Sequence, residues 1–507
     1  MRAQVRQLAK SHFIPALCPM SKTFRSFLPL LAASLLILHL FNNSNGQDVT
    51  ARIFIDAKEP TTAYVEGVFA GLRNDRNLAF LGEFGGNTGL ARRFSQLQLF
   101  VGNKVPVRSR KLMEGEYLAE EPFSSWSYSV DLRTLQNSSS ALVSWLGNRG
   151  GTLMLNDLLP QTYQKTSIVI GLSVPPGWQI ATAEREGRPG TYEINNLAEA
   201  VFYVGPDQRE KVTRVGGSQL TVNITGNWLF SDSDAASRAA SIFGQYERSF
   251  GSSPSSRFMI GIRKFPNPTN AGNWEAGTRG RTVTIVSSET AFGSQSLQQL
   301  NEQLRHETFH LWFPNGVNLT GNYDWFYEGF ALYQSLKTGL ALNSIRFDDY
   351  LDTLSRAYEI DKTLKLSLID ASKNRWSGNN NTQIYARVML VAFLCDVALL
   401  EKSKGKRSVT DLLRQLYERY RPPNPDSDGN TAVLTLLRSY RELAPIIDRN
   451  ITGAGSIEWN DMLNDAGIEN QMTNGPAKLK VTEKPTGRQK DLLDKLGYNN
   501  WRKVASK

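Results

Sequence analysis

The stretch His306-Glu307-Thr308-Phe309-His310 decides how this chain of 507 residues is interpreted. Residues i and i+4 lie on the same face of a helix, so the two imidazoles would stand side by side with Glu307 next to them. Histidine is the commonest metal-binding side chain, and this pattern supplies two zinc ligands and a general base. The alternative is a solvent-facing helix with two ordinary histidines.

The scarcity of histidine limits the choice of a third ligand. The chain has four histidines, and the other two, His12 and His39, lie in the N-terminal segment. A catalytic zinc site usually has three protein ligands and an open position, so a carboxylate or the thiol of Cys395 must complete it. Cys395 lies in an apolar run typical of a buried core cysteine. Glu328 is the best carboxylate, because a helix, a turn-rich loop and a second helix would return it to the histidines; the alternative is a solvated glutamate near a helix start.

The charge and cysteine content exclude some classes of function. The formal net charge is +10, but the excess of basic residues lies in residues 1–46 and 476–507. This distribution predicts a solvated basic tail at 476–507 and gives no reason to expect nucleic-acid binding. With only Cys18 and Cys395, no disulfide is expected in the mature protein.

An apolar run at 27–41 follows Lys22 and Arg25. It is short for a membrane span and fits the core of a signal peptide covering residues 1–46. The protein is therefore expected to be secreted or periplasmic. If the segment stayed uncleaved, it would tether the protein to a membrane, facing outside the cytoplasm. Glycosylation sequons begin at Asn137, Asn223, Asn318, Asn380 and Asn450.

The pattern of apolar residues changes once along the chain. Residues 47–225 alternate apolar and polar positions between Gly and Pro clusters, which predicts a β-sandwich-like domain. From 226 to 475 a capped helix, two strands and then mostly helices are predicted. The fold class is therefore α+β.

Residues 226–420 resemble the gluzincin aminopeptidases, most closely the glycyl-aminopeptidase family, which is related to the alanyl aminopeptidases. The resemblance rests on four stretches: His306–Phe313, Trp325–Ala331, Asn273-Trp274-Glu275-Ala276 and Ile384-Tyr385-Ala386-Arg387. It implies a thermolysin-like, mostly helical zinc peptidase domain with one Zn²⁺ per chain.

The resemblance also implies two further site residues. Tyr385 stands at the family's tyrosine position, where its hydroxyl would stabilise the oxyanion. Glu275 stands where a carboxylate would pair with the free α-ammonium of a peptide substrate. The sequence departs from the family at Ala276, Arg387 and Val388, where larger polar, lysine and glycine residues are usual.

Together these residues predict a secreted zinc aminopeptidase that acts on peptides. The predicted metal ligands are His306, His310 and Glu328, and Glu307 is the predicted general base. Two alternatives remain: a zinc endopeptidase with the same site, and a secreted zinc-binding protein that has lost catalysis. The oligomeric state does not follow from the sequence.

Overall fold

A computed structural model describes residues 49–70, 76–102, 104–136, 138–161, 168–373, 381–471 and 475–500. The predicted signal peptide, 1–46, lies outside these residues. Residues 48–507 form one compact unit. The α+β prediction is confirmed, since a β-rich N-terminal part precedes a largely helical one.

The N-terminal part is a β-sandwich. Its strands are β1 (Val49–Ile55), β2 (Thr62–Phe69), β3 (Asn77–Ala79), β4 (Glu83–Phe84), β5 (Asn87–Thr88), β6 (Phe94–Val101), β7 (Val105–Val107), β8 (Ser109–Met113), β9 (Glu116–Ala119), β10 (Ser125–Asp131), β11 (Trp145–Gly147), β12 (Gly150–Met154), β13 (Ile168–Ser173), β14 (Gln179–Thr182), β15 (Arg185–Glu186), β16 (Thr191–Ile194) and β17 (Val201–Gly205). An eight-stranded sheet, β15-β16-β13-β1-β2-β10-β6-β7, and a four-stranded sheet, β11-β12-β17-β14, contribute to one hydrophobic core. The alternating burial of β1 and β2 matches their alternating sequence.

A second, five-stranded sheet supports the predicted site. Its strands are β18 (Arg209–Val215), β19 (Ser218–Ile224), β20 (Arg257–Lys264), β21 (Trp274–Arg279) and β22 (Thr282–Ser287), in the order β18-β19-β20-β22-β21. β19 pairs in parallel with β20, so this sheet crosses the domain boundary expected at residue 225. β21 is an edge strand and pairs only with β22 among the described strands.

The described α-helices all lie after residue 231 and make up most of the C-terminal part. They are α1 (Asp232–Phe250), α2 (Gly293–Phe309), α3 (Asp324–Ala341), α4 (Phe347–Asp361), α5 (Leu368–Lys373), α6 (Asn381–Lys402), α7 (Val409–Tyr420), α8 (Gly429–Arg438), α9 (Ala444–Asn450), α10 (Asn460–Asp465) and α11 (Gly487–Leu496), with the short strands β23 (Leu319–Thr320), β24 (Ser427–Asp428), β25 (Ile468–Asn470) and β26 (Leu479–Val481). A capping box between Ser231 and Asp234 starts α1, as its sequence predicts.

α6 is the central helix of the C-terminal core. Among the described helices it alone is long and apolar enough to cross a membrane, but 89% of that apolar window is buried inside the protein. It packs against α3 and α4, and Cys395 is one of its buried residues. Burial raises the pKa of the Cys395 thiol far above its usual value, which agrees with the core role predicted for this residue.

The sequence predicted a solvated tail at 476–507, but in the part of this segment that the structure describes, up to residue 500, the apolar residues are buried. Leu479, Leu492, Leu493 and Leu496 are buried in the same core as α6, while the basic side chains between them face outward. Burial of these leucines stabilises the packing of the segment, and their spacing on α11 gives one apolar face.

Three sequon asparagines have their side chains hydrogen-bonded within the folded protein. Asn223 and Asn450 are buried, and the side-chain amides of Asn223, Asn318 and Asn450 each donate a hydrogen bond within the protein. The amide nitrogen that would carry a glycan is thus already engaged. Asn137 and Asn380 lie outside the described residues.

Candidate metal centre

The helices α2 and α3, which follow one another along the chain, hold the predicted metal ligands. His306 lies in the last turn of α2, and His310 follows its final residue in a helical conformation. The chain then turns through residues 311–323 and enters α3, whose second turn carries Glu328. The predicted arrangement of helix, turn-rich loop and helix is therefore what the structure contains.

The three side chains converge on one point. His306 Nε2 and His310 Nε2 are 3.2 Å apart, and Glu328 Oε2 lies 3.5 Å from the first and 3.8 Å from the second. Zinc ligands at about 2.0–2.1 Å in a tetrahedron stand about 3.3 Å from one another. The spacing and the donor set of two imidazoles and one carboxylate fit a three-ligand zinc site.

Hydrogen bonding prepares His310 for this role. Its Nδ1 lies 2.8 Å from the carbonyl oxygen of Phe313, which fixes the proton on Nδ1 and leaves the Nε2 lone pair toward the cluster. The ring of Tyr327 packs edge-on against the His310 ring at 5.9 Å. Within the described residues, Nδ1 of His306 is buried and has no hydrogen-bond partner.

Two carboxylates dominate the electrostatics around His306. Burial alone would lower the pKa of His306, but the hydrogen bond to Glu328 and the negative charge of Glu307 together raise this pKa above its ordinary value. A group of carboxylates that favours positive charge on an imidazole also favours a cation bound to it.

Glu307 points to the neighbouring sheet. Its side chain is buried, and Thr278 Oγ1 on β21 lies 2.7 Å from Glu307 Oε2 and 2.9 Å from the Glu307 carbonyl oxygen. Sequence reasoning did not single out Thr278, since nothing in the local pattern of β21 links it to a residue so far along the chain. The strand that carries Glu275 thus also contacts the predicted base.

Glu275 lies on β21 but faces the N-terminal β-sandwich. Its Oε2 accepts hydrogen bonds from the Ser139 hydroxyl, at 3.0 Å, and from the Ser140 backbone N–H, at 2.7 Å. Alternate residues of a strand face opposite sides, so Glu275 and Thr278 lie on opposite faces of β21. The side chain is half-buried and holds β21 against the 138–144 loop.

Tyr385 lies near the start of α6, half-buried against the C-terminal core. The crossing of α3 and α6 is tight, because a Cβ at Gly329 would lie 2.1 Å from the Cβ of Val388. Tyr385 is one turn before Val388 on the same face, and Gly329 follows Glu328 directly. The helix crossing therefore brings the turn of α6 that carries Tyr385 to the turn of α3 that carries Glu328.

Arg387, which replaces a lysine of the resembled family, is a structural residue. Its side chain is buried, and Nε lies 2.6 Å from Asp361 Oδ1 on α4, while the two Nη groups donate to the carbonyl oxygens of Leu366 and Leu364. These bonds direct the guanidinium into the packing between α6 and the 361–366 turn.

Comparison with solved structures identifies the architecture. An aminopeptidase N family protein from Idiomarina loihiensis superposes with a TM-score of 0.73 at 16% identity, covering 86% of this chain and 82% of that one. An M1 zinc metallopeptidase from Deinococcus radiodurans gives 0.51 at 13% identity, covering 82% of this chain and 94% of that one. The chain has the M1 metallopeptidase fold.

A mutant of the Deinococcus enzyme, bound to a Tyr-Ser-Ala substrate, matches 79% of this chain and 93% of that one at 13% identity and a TM-score of 0.51. Neither a protein-family model nor a characterised protein sequence matches the chain. The gluzincin architecture expected from the resemblance is confirmed as a fold, and the glycyl-aminopeptidase subtype stays a prediction.

Proposed function

We propose that the chain is a zinc-dependent peptidase whose metal is held by His306, His310 and Glu328. The observation that carries this proposal is the convergence of two imidazole nitrogens and one carboxylate oxygen within 3.8 Å of one another. Three protein ligands leave a tetrahedral position open, as catalytic sites require, whereas structural zinc sites are usually closed by four. The M1 fold supports the same proposal.

The chain's own residues supply the proton transfers. When bound, zinc supplies a Lewis acid that polarises a carbonyl and makes water acidic enough to lose a proton near neutral pH. Glu307 follows His306 directly and is assigned to accept that proton and return it to the leaving amine. Tyr385 is assigned to donate its hydroxyl hydrogen to the oxyanion, from the turn of α6 next to Glu328.

Within peptidases, we assign aminopeptidase activity, with Glu275 pairing with the α-ammonium of the substrate. β21 is an edge strand beside Glu307, so an extended peptide can add to it by backbone pairing, with its terminus near Glu275. One observation favours the endopeptidase alternative: Glu275 Oε2 already accepts two hydrogen bonds from the 138–144 loop. The charge of Glu275 is therefore the feature to test.

We expect Glu275→Ala to remove most of the preference for substrates with a free amine over their N-acetylated forms. A hydrogen bond to a charged group contributes about 1.5–3 kcal/mol, which corresponds to a preference on the order of 10–150-fold. Ala276 lacks the larger polar side chain that is usual in the resembled family and that could also bind the α-ammonium, so the lower half of that range is expected. The measurement is kcat/KM on matched free and acetylated aminoacyl substrates.

Glu275→Gln is the matched control for this test. The glutamine carbonyl still accepts the bonds from Ser139 and Ser140 but carries no charge. If the anchor is electrostatic, Glu275→Gln loses the preference as well. Equal rates of the wild-type enzyme on free and blocked substrates would favour the endopeptidase.

We expect Tyr385→Phe to lower kcat by about 10²–10³, because loss of one oxyanion donor typically costs that much. KM should change little, since the hydroxyl acts on charge that develops in the transition state. Tyr358→Phe, at another half-buried helix tyrosine of the same core, is the control. A drop in thermal stability with unchanged kcat would make Tyr385 a packing residue only.

The sequence supports two finer assignments. The Asn273–Ala276 and Ile384–Arg387 stretches favour the glycyl-aminopeptidase subtype, with a substrate preference altered at Ala276 and Arg387. The apolar segment at 27–41 favours export to the outside of the cytoplasm. Fractionation of expressing cells, with N-terminal sequencing of the product, distinguishes a cleaved signal from a retained membrane anchor.

A further inference from the structure

The contact between Thr278 and Glu307 joins the edge strand to the predicted base. Thr278 Oγ1 lies within hydrogen-bond distance of both Oε2 and the carbonyl oxygen of Glu307. A hydroxyl carries one hydrogen, so it donates to one of these oxygens at a time. An ionised carboxylate is the stronger acceptor, and the shorter distance, 2.7 Å, is the one to Oε2.

The strand that carries this hydroxyl is held firmly. Arg279, the next residue, is buried, stacks its guanidinium over the Phe84 ring at 3.8 Å, and donates to the carbonyl oxygen of Leu142. Thr278 itself lies opposite Val283 in the β21–β22 ladder. Because β21 is held in this way, the Thr278 hydroxyl keeps its direction. Its hydrogen bond therefore restricts the rotation of the Glu307 side chain.

The hydrogen bond from Thr278 also makes the two oxygens of the Glu307 carboxylate inequivalent. With Oε2 engaged by Thr278, the orientation of the whole carboxylate group is restricted, and the direction of Oε1 is set with it. A general base has to be within hydrogen-bond reach of the proton that it accepts, and a misplaced base costs rate more than binding. Holding one oxygen thus fixes the position of the other.

We propose that Thr278 is a positioning residue for Glu307, acting through its hydrogen bond to Oε2 and taking no part in proton transfer itself. The role rests on the proposed function of Glu307 as the general base. Thr278 then contributes to the chemical step, because a correctly directed carboxylate is needed when the water proton leaves.

The test compares Thr278→Val, which keeps the shape of the side chain, Thr278→Ala, which removes it without adding bulk, and Thr278→Ser, which keeps the hydroxyl. Thr278→Val and Thr278→Ala each lose a hydrogen bond to a charged group, so we expect kcat to fall on the order of tenfold in both. KM should stay within about twofold, and Ser should restore most of the rate. Zinc content and thermal stability are measured on every variant.

Two further variants separate positioning from general structure. Thr182→Val is the matched control, since Thr182 Oγ1 donates to the Val201 carbonyl oxygen at 2.7 Å in the distant N-terminal sandwich. It should leave kcat unchanged. The double variant Glu307→Gln/Thr278→Val should be no slower than Glu307→Gln alone, because Thr278 acts through the carboxylate.

The outcomes distinguish this role from the proposed function. An active wild type with equal kcat in Thr278→Val and Thr278→Ser would overturn the role of Thr278 and leave the peptidase assignment standing. A further tenfold loss in the double variant would also overturn it. A zinc-loaded wild type without activity on any peptide would overturn the proposed function and the role of Thr278 with it.

Discussion

Glu307→Gln is expected to retain zinc and fold but to lose activity by at least about 10²-fold, because an amide cannot accept the proton of the attacking water. Glutamine has nearly the same shape, and its carbonyl oxygen can still accept the hydrogen bond that Thr278 donates. The three metal ligands are unchanged in this variant. The measurement is kcat/KM on a fluorogenic aminoacyl substrate, with zinc content from elemental analysis.

Glu302→Gln is the control for the charge that this substitution removes. Glu302 lies on the same helix, is exposed, and is close enough to raise the pKa of His306 through its negative charge. The control therefore removes one negative charge near the site without touching the proposed base. Near-normal turnover of Glu307→Gln would remove Glu307 from the mechanism, and a comparable loss in Glu302→Gln would assign the effect to charge alone.

The second large effect is expected for the double variant His306→Ala/His310→Ala, which should lose stoichiometric zinc and all zinc-dependent activity. Of the three convergent ligands, only Glu328 would then remain. One carboxylate is too few protein ligands for a zinc site, which usually has three or four. The His306 side chain is 18% exposed, whereas His310 is buried and packs edge-on against the Tyr327 ring, so thermal stability is measured together with zinc content to show that the fold survives.

Gln298→Ala/Glu302→Ala is the matched control for the histidine pair. It changes two exposed side chains at the same i, i+4 spacing on α2, neither of which is a predicted ligand, and it includes Glu302, the charge one turn before His306. Elemental analysis and activity with and without a chelator are measured on both variants. Full zinc retention by the histidine variant would rule out this metal centre.

These experiments also separate the remaining alternatives. A degenerate zinc-binding protein would bind stoichiometric zinc through His306, His310 and Glu328 and show no turnover, so Glu307→Gln would change nothing measurable. An endopeptidase would lose turnover in Glu307→Gln and keep equal rates on free and acetylated substrates. Only the proposed aminopeptidase both loses turnover in Glu307→Gln and prefers free-amine substrates to acetylated ones in a way that depends on the charge of Glu275.

The sequence determined the elements that depend on neighbouring residues. The i, i+4 spacing of His306 and His310 sets them on one side of a helix end, and the Ser231 capping box starts α1 where it was expected. Alternating apolar positions gave the sandwich strands, and scarcity of histidine pointed to Glu328 as the third ligand. Each of these follows from periodicity, capping or residue count, which are local or compositional properties.

The tertiary structure decided what residues distant along the chain do to one another. The hydrogen bond from Thr278 to Glu307, and those from Ser139 and Ser140 to Glu275, join separate sheets, helices and loops. The burial of Leu492 and Leu493 depends on the surface left open beside α6, so the basic composition of the tail could not reveal it. Such contacts arise only when the whole core closes, because apolar burial drives packing without specifying partners and the polar groups then bond to whatever donors that packing brings within reach.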